Sequence, residues 1–126
     1  MNEPLKAYLY VGLGSALGGV ARFWLAGLIG WRFHPTIGVL FVNVTGSFLI
    51  GLIAGLTSAR SAPVTKWFLM TGVMGGYTTF SSFSLQTLEL MQKGEWIGAT
   101  ANAGASLLFC LVGVWLGFLL GHLVQR

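Results

Sequence analysis

There is no aspartate in this chain, and the only carboxylates are Glu3, Glu89 and Glu95. That scarcity leaves no group of acids for a metal or for paired acid–base work. Cys110 is the single cysteine, so an intrachain disulfide is excluded. His34 and His122 stand far apart without metal-ligand spacing. No nucleophile is paired with a base, and no phosphate-binding loop follows a strand, so the sequence does not support an enzyme. Charged residues make up only 8%, against about 25% in soluble domains. A water-soluble fold is excluded on that ground.

What is abundant is apolar. The 126 residues are 55% hydrophobic, with a mean hydropathy of +0.78. A membrane-spanning helix takes about 20 apolar residues, so the length holds four spans and little else. The reading is an all-α integral membrane protein forming one transmembrane domain over residues 1–126. Its spans are expected near 5–30, 36–58, 64–92 and 96–123, with Pro4, Pro35, Pro63 and Gly94 marking starts and breaks. Trp31, Trp67 and Trp96 fall near span ends, where interfacial aromatics belong. Residues 1–30 do not read as a cleaved leader: the apolar stretch is long, contains Arg22 and lacks a clear small-residue cleavage site.

The net charge of +4 reads as loop charge beside lipid headgroups, not as a nucleic-acid patch. With four spans, Lys6, Arg60, Lys66 and Arg126 lie on one side, and Arg32 and Lys93 on the other. That bias is weak under the positive-inside rule. It is compatible with insertion in both orientations and antiparallel pairing of two copies, or with an ordinary one-way protein carrying few loop charges. Four helices of this size enclose little lumen, so a polar pathway belongs more naturally at a subunit interface.

Glycine recurs at four-residue spacing, as Gly14 and Gly18, Gly51 and Gly55, and Gly113, Gly117 and Gly121. Small residues so placed let helix backbones approach closely in lipid. The third span departs from apolar composition at Gly75-Gly76-Tyr77-Thr78-Thr79-Phe80-Ser81-Ser82-Phe83-Ser84. Two adjacent glycines cost about 2 kcal/mol of helix propensity relative to alanine, and the threonine hydroxyls compete for backbone bonds. One reading is a helix broken at mid-membrane into halves 64–74 and 80–92, with freed carbonyls suited to a hard cation such as Na⁺. The other is a kinked, continuous helix.

Phe80 and Phe83 project from one helical face. Their ring edges, being positive, can hold an anion beside the hydroxyls of Ser81 and Ser84; alternatively they simply pack. Asn43, in the middle of span two, can donate its amide to an anion or bind a neighbouring helix. Asn102, Ser106 and Cys110 form a weakly polar stripe on span four, fit for a path or a packing seam. Arg22 is the only base well inside a span, where charge is costly and usually functional, although it lies near enough to the span's end to snorkel.

The chain resembles the Fluc (CrcB) family of fluoride channels over nearly its whole length. The matching stretches are Gly18-Gly19-Val20-Ala21-Arg22-Phe23, Gly38 to Phe48, and most specifically Gly72-Val73-Met74 running on to Ser84. The resemblance implies a dual-topology antiparallel homodimer in the cell membrane, with two pores that pass fluoride out of the cytoplasm and limit its toxicity. It implies one structural Na⁺, not transported, at the dimer centre, held by the carbonyls of Gly75 and Thr78. It makes Phe80 and Phe83 the pore phenylalanines and Asn43 the pore amide. Thr79, Ser81, Ser84 and Ser106 join the polar track, and Arg22 is the family's span-one arginine. Two positions depart from the pattern: Val39 stands where many relatives have threonine, and Gln86 where many have glutamate. Competing readings are a small proton-coupled multidrug transporter, which needs a mid-membrane carboxylate, and a non-transporting scaffold held by the glycine faces.

Overall fold

In a computed structural model, residues 2–57 and 62–125 are described. Arg60 and Arg126, on which the loop-charge argument drew, and position 58 of the second expected span lie outside the described residues. Every regular element among the described residues is helical.

Helix α1 runs Glu3–Arg32. Asn2 caps it by accepting the Leu5 amide at 3.3 Å, Pro4 sits in the first turn, and Lys6 pairs with Glu3 at 2.8 Å. A two-residue turn leads into α2, Pro35–Leu56, whose start is fixed by proline at the first helical position and by His34 accepting the Thr36 amide. The hairpin closes tightly because Gly38 lies against the Ala26 carbonyl, where a side chain has no room.

The next segment is a π-helix, Thr65–Met74, which passes into a single α-turn, α3, Gly75–Tyr77. Packing against α1 explains the wider winding. A Cβ at Gly14 would stand 2.9 Å from the Gly72 Cα, Gly18 lies on the Val73 carbonyl, and Gly76 on the Ser15 carbonyl. The facing residues are therefore 68, 72, 73 and 76, and i→i+5 winding keeps residues four and five apart on one side. Helix α4, Phe80–Gln92, and helix α5, Trp96–Val124, complete the chain. Between them Gly94 takes φ +77°, a left-handed conformation that glycine adopts without steric cost.

The backbone parts within the expected interval between residues 74 and 80, but only at its C-terminal end. Helix continues through Gly75 and Gly76, and extended conformation occurs at Thr78 (φ −88°, ψ 157°) and Thr79 (φ −149°, ψ 112°). The glycines act as packing residues: Gly76 touches Ser15 backbone, a contact that offsets their poor helix propensity. The first half is also π-wound rather than α-helical.

Helices α2 and α5 pack along the glycine ladder. Gly51 lies on the Val114 carbonyl, Gly55 on the Phe118 carbonyl, Gly117 on the Phe48 carbonyl and Gly121 on the Leu52 carbonyl. The buried core is thin and small: Val42 and Ala99 are fully buried, joined by Val39, Met74 and Tyr77. Large apolar side chains face outward instead, including Phe23 at 81% and Ile97 at 89% exposure. Such a surface suits lipid rather than water. Helices α1, α2 and α5 are each long and apolar enough to cross a membrane.

Gly117→Val should destabilise the α2–α5 pair, because its Cβ would fall inside contact distance of the Phe48 carbonyl. Overpacking of this kind costs about 1–3 kcal/mol. Thermal unfolding in detergent is the measurement; an unchanged midpoint would contradict the close-approach account.

Candidate functional site: a cavity beside the helix break

The break at Thr78 and Thr79 is built by α2. The Asn43 Nδ2 donates to the Thr79 carbonyl at 3.0 Å, and the Thr79 amide donates to Asn43 Oδ1 at 2.7 Å. Asn43 thus pairs with a peptide group much as a neighbouring strand would, replacing the helical partners that Thr79 gives up. Thr79 then starts α4, its hydroxyl accepting the Ser82 amide at 3.2 Å. Gly46 makes room for this arrangement, lying against the Tyr77 ring and the Thr78 methyl. Tyr77 is buried, and its hydroxyl meets Thr45 Oγ1 at 2.9 Å. Thr45 Oγ1 already donates to the Phe41 carbonyl at 2.8 Å, so Tyr77 is the donor between them.

Breaking the helix frees carbonyls. That of Gly76 accepts Arg22 Nε from α1 at 3.1 Å. Arg22 therefore spans from the first helix to the break. The amide that would serve the Gly75 carbonyl along an α-helix is that of Thr79, and it goes to Asn43 Oδ1 instead. The Ser82 amide, which would serve the Thr78 carbonyl along an α-helix, goes to Thr79 Oγ1. No cluster of three His, Cys, Asp or Glu side chains exists among the described residues.

Next to the break lies a cavity of about 510 Å³, walled by α2, α4 and α5. Asn43, Thr79, Phe80, Phe83 and Ser106, singled out from sequence, all line it. Phe80 and Phe83 have centroids 5.3 Å apart, with planes tilted by 53°, so the edge of one ring and the face of the other are turned to different directions. Ser47, Thr78 and Cys110 also line the cavity. Sequence reasoning missed Ser47 as a site residue, although it lies one helical turn beyond Asn43. It missed Tyr77 as well, whose place inside the glycine–threonine segment was the available signal.

Two serines sit elsewhere. Ser81 Oγ lies 3.2 Å from Thr79 Oγ1, and Ser84 donates to the Phe80 carbonyl at 2.9 Å; both flank α4 outside the cavity wall. Asn102 also leaves the wall, donating to Thr87 Oγ1 at 2.9 Å, which in turn donates to the Phe83 carbonyl at 2.8 Å. It ties α5 to the helix that carries the phenylalanines. Gln86 donates to the Pro35 carbonyl at 3.2 Å, and its Oε1 is buried without a partner among the described residues. The cavity contains no acidic or basic side chain; its polar groups are hydroxyls, one amide and one thiol.

Asn102→Ala should uncouple α4 from α5, leaving Thr87 without its donor. A lost neutral hydrogen bond of this kind is worth about 1 kcal/mol, read as a small drop in the detergent unfolding midpoint.

Comparison with known proteins decides the family. The family described as "CrcB-like protein, Camphor Resistance (CrcB)" matches residues 9–118. The chain belongs to the CrcB family. Similar CrcB-type relatives include a protein of Opitutus terrae, 50% identical over 119 residues and covering 90% of each chain. Another, from Methylocella silvestris, is 48% identical over 125 residues, covering 94% of this chain and 95% of its own. A third, from Rhodospirillum rubrum, is 50% identical over 116 residues, covering 87% and 90%. Each bears the name "Fluoride-specific ion channel FluC". The CrcB match spans α1 through most of α5 and therefore includes every wall of the cavity.

Proposed function

We propose that this chain is a passive, fluoride-selective channel of the cell membrane that lets fluoride leave the cytoplasm. The observation that carries the reading is the cavity in which Asn43, Thr79 and Ser106 converge with Phe80 and Phe83, without a single carboxylate, in a member of this family. Fluoride is small and holds its water tightly, so a path must replace that water with hydrogen-bond donors. The amide of Asn43 keeps one N–H beyond the one used by Thr79, and serine and threonine hydroxyls and positive ring edges add weaker donors. Several weak stations in series let an ion enter without being trapped. The guanidinium of Arg22, close to the break, raises the potential for an anion.

The assembly that fits this reading is an antiparallel homodimer with two pores, its third span broken at mid-membrane. Phe80 is 78% exposed although it lines the cavity. A second copy would cover that ring and close the open side. The same pairing would bring two breaks together, giving four carbonyls from the Gly75 and Thr78 of both copies. Hard cations gather several oxygens, and Na⁺ fits such a set while one chain's pair does not suffice. When bound, Na⁺ would supply fixed positive charge between the subunits; it is not the conducted ion. Glu3, Glu89 and Glu95 stand within the first or last turns of helices or between them, which disfavours proton-coupled drug transport.

Fluoride-loaded liposomes containing the purified protein should release fluoride to an electrode while retaining chloride. Equal release of both ions would remove the selectivity claim, and no release of either would favour a scaffold role.

A further inference from the structure

The break is held on both sides of Thr78, and the two holds come from different faces of α2. Successive residues of an α-helix turn by about 100°, so Asn43 and Thr45 point to nearly opposite sides, with Gly46 between them. At Gly46 a Cβ would stand 3.0 Å from the Tyr77 ring and nearer still to the Thr78 methyl. The chain therefore crosses α2 at that glycine, with Tyr77 beside Thr45 and Thr79 beside Asn43. Asn43 takes the Thr79 peptide at 3.0 and 2.7 Å. Tyr77, only 8% exposed, donates its hydroxyl to Thr45 Oγ1 at 2.9 Å. That oxygen is fixed in turn by its own bond to the Phe41 carbonyl at 2.8 Å. Neither Tyr77 nor Thr45 lines the cavity, and Thr45 borders a separate apolar hollow with Val44 and Phe48. The buried tyrosine hydroxyl therefore has no part in the donor set for fluoride.

We infer that Tyr77 is a positioning residue for the anion path, acting through its hydroxyl on Thr45. The inference rests on the fluoride reading above. The Thr79 amide leaves the helical ladder for Asn43, so the angle between α3 and α4 is set by what α2 holds. A corner held only at Thr79 can pivot about that one point; a second hold before Thr78 removes the pivot. The direction of α4, and with it that of Phe80 and Phe83, then follows from both holds. Tyr77→Phe removes the second hold alone. The ring keeps its packing and Thr45 Oγ1 keeps the Phe41 carbonyl, so the variant leaves neither partner of this bond unpaired. Thr45→Val does the reverse: it leaves the tyrosine hydroxyl buried without a partner, which is worse than losing both partners.

Two measurements test this: fluoride release from liposomes, counted per folded chain, and amide exchange in detergent read by mass spectrometry. The reporting amides are those of Thr78, Thr79 and Ser82, which donate to Met74, Asn43 and Thr79. In Tyr77→Phe they should exchange about fivefold faster, the factor by which a neutral hydrogen bond biases an opening equilibrium. Fluoride release should fall several-fold in the same variant. Thr45→Ser keeps the acceptor and should stay near wild type in both measurements. Thr45→Val should release least, and adding Tyr77→Phe to it should raise release to the level of Tyr77→Phe alone. Packing alone gives no such rescue. Wild-type exchange and release in Tyr77→Phe would overturn the inference. So would faster exchange with undiminished release, or a double variant that releases less than Thr45→Val. Wild-type protein that releases no fluoride would instead sink the fluoride reading, and the exchange comparison would still decide whether the Tyr77 hydroxyl holds the corner.

Discussion

Asn43→Ala is expected to abolish fluoride release and to loosen the break in the same step. In the wild type the side chain pairs with both polar groups of the Thr79 peptide, at 3.0 and 2.7 Å. Alanine leaves a part-buried N–H and C=O unsatisfied, at about 1–3 kcal/mol for each group. Nothing else in the described structure replaces those bonds, so α4 loses the anchor that sets the direction of Phe80 and Phe83. Asn43→Asp separates the two roles. A carboxylate still accepts the Thr79 amide, but it cannot donate to the Thr79 carbonyl or to fluoride, and it adds negative charge to a cavity that has none. We expect Asn43→Asp to recover part of the unfolding midpoint lost in the alanine variant while releasing no more fluoride. Fluoride release by Asn43→Asp near the wild-type rate would show that the amide is structural only.

The composition made much of this molecule legible. Few charges and a long apolar chain led to an all-helical membrane protein, and glycines at four-residue spacing marked the faces on which α1 meets the π-helix and α2 meets α5. Helix propensity drew the break too wide, taking in the two glycines as well as Thr78 and Thr79. Gly75-Gly76 reads as a helix breaker because propensity is a local quantity, whereas Gly76 is held helical by backbone contact with Ser15, far away in the chain on α1. What parts the helix is an amide on another span: Asn43 takes the Thr79 N–H that would have continued the ladder. No local window contains both residues. The π-winding was equally hidden, since it answers to the spacing of small residues on α1. For the site, the motif supplied five cavity residues, Asn43, Thr79, Phe80, Phe83 and Ser106. Cys110 already stood in the stripe read from span four, whereas Ser47 required the register between α2 and α5, which the packed glycine ladder sets. The deviation of Ser81, Ser84 and Asn102 from the wall has a comparable cause. Each finds a nearer partner: Thr79, the Phe80 carbonyl and Thr87.

The second large effect is expected at Arg22. Its Nε–H reaches the Gly76 carbonyl at 3.1 Å, one of the carbonyls freed where the helix parts. Loss of that donor leaves a part-buried carbonyl unpaired, while loss of the charge lowers the potential for an anion near the path. Conservative variants divide these contributions. Arg22→Gln keeps a neutral donor of shorter reach and removes the charge; Arg22→Lys keeps the charge but presents an ammonium instead of the planar fork. If Arg22 acts on the anion mainly through its charge, lysine should retain substantial fluoride release and glutamine should lose most of it, at similar unfolding midpoints. A hydrogen bond to a charged donor is worth about 1.5–3 kcal/mol, so Arg22→Ala should lower the midpoint more than Asn102→Ala does. Equal release by the lysine and glutamine variants would assign Arg22 to holding the Gly76 carbonyl alone. The break would then be a structural joint on α1, and the potential that draws fluoride in would have to come from elsewhere, with the cation proposed at the Gly75 and Thr78 carbonyls as the remaining source of positive charge at the break.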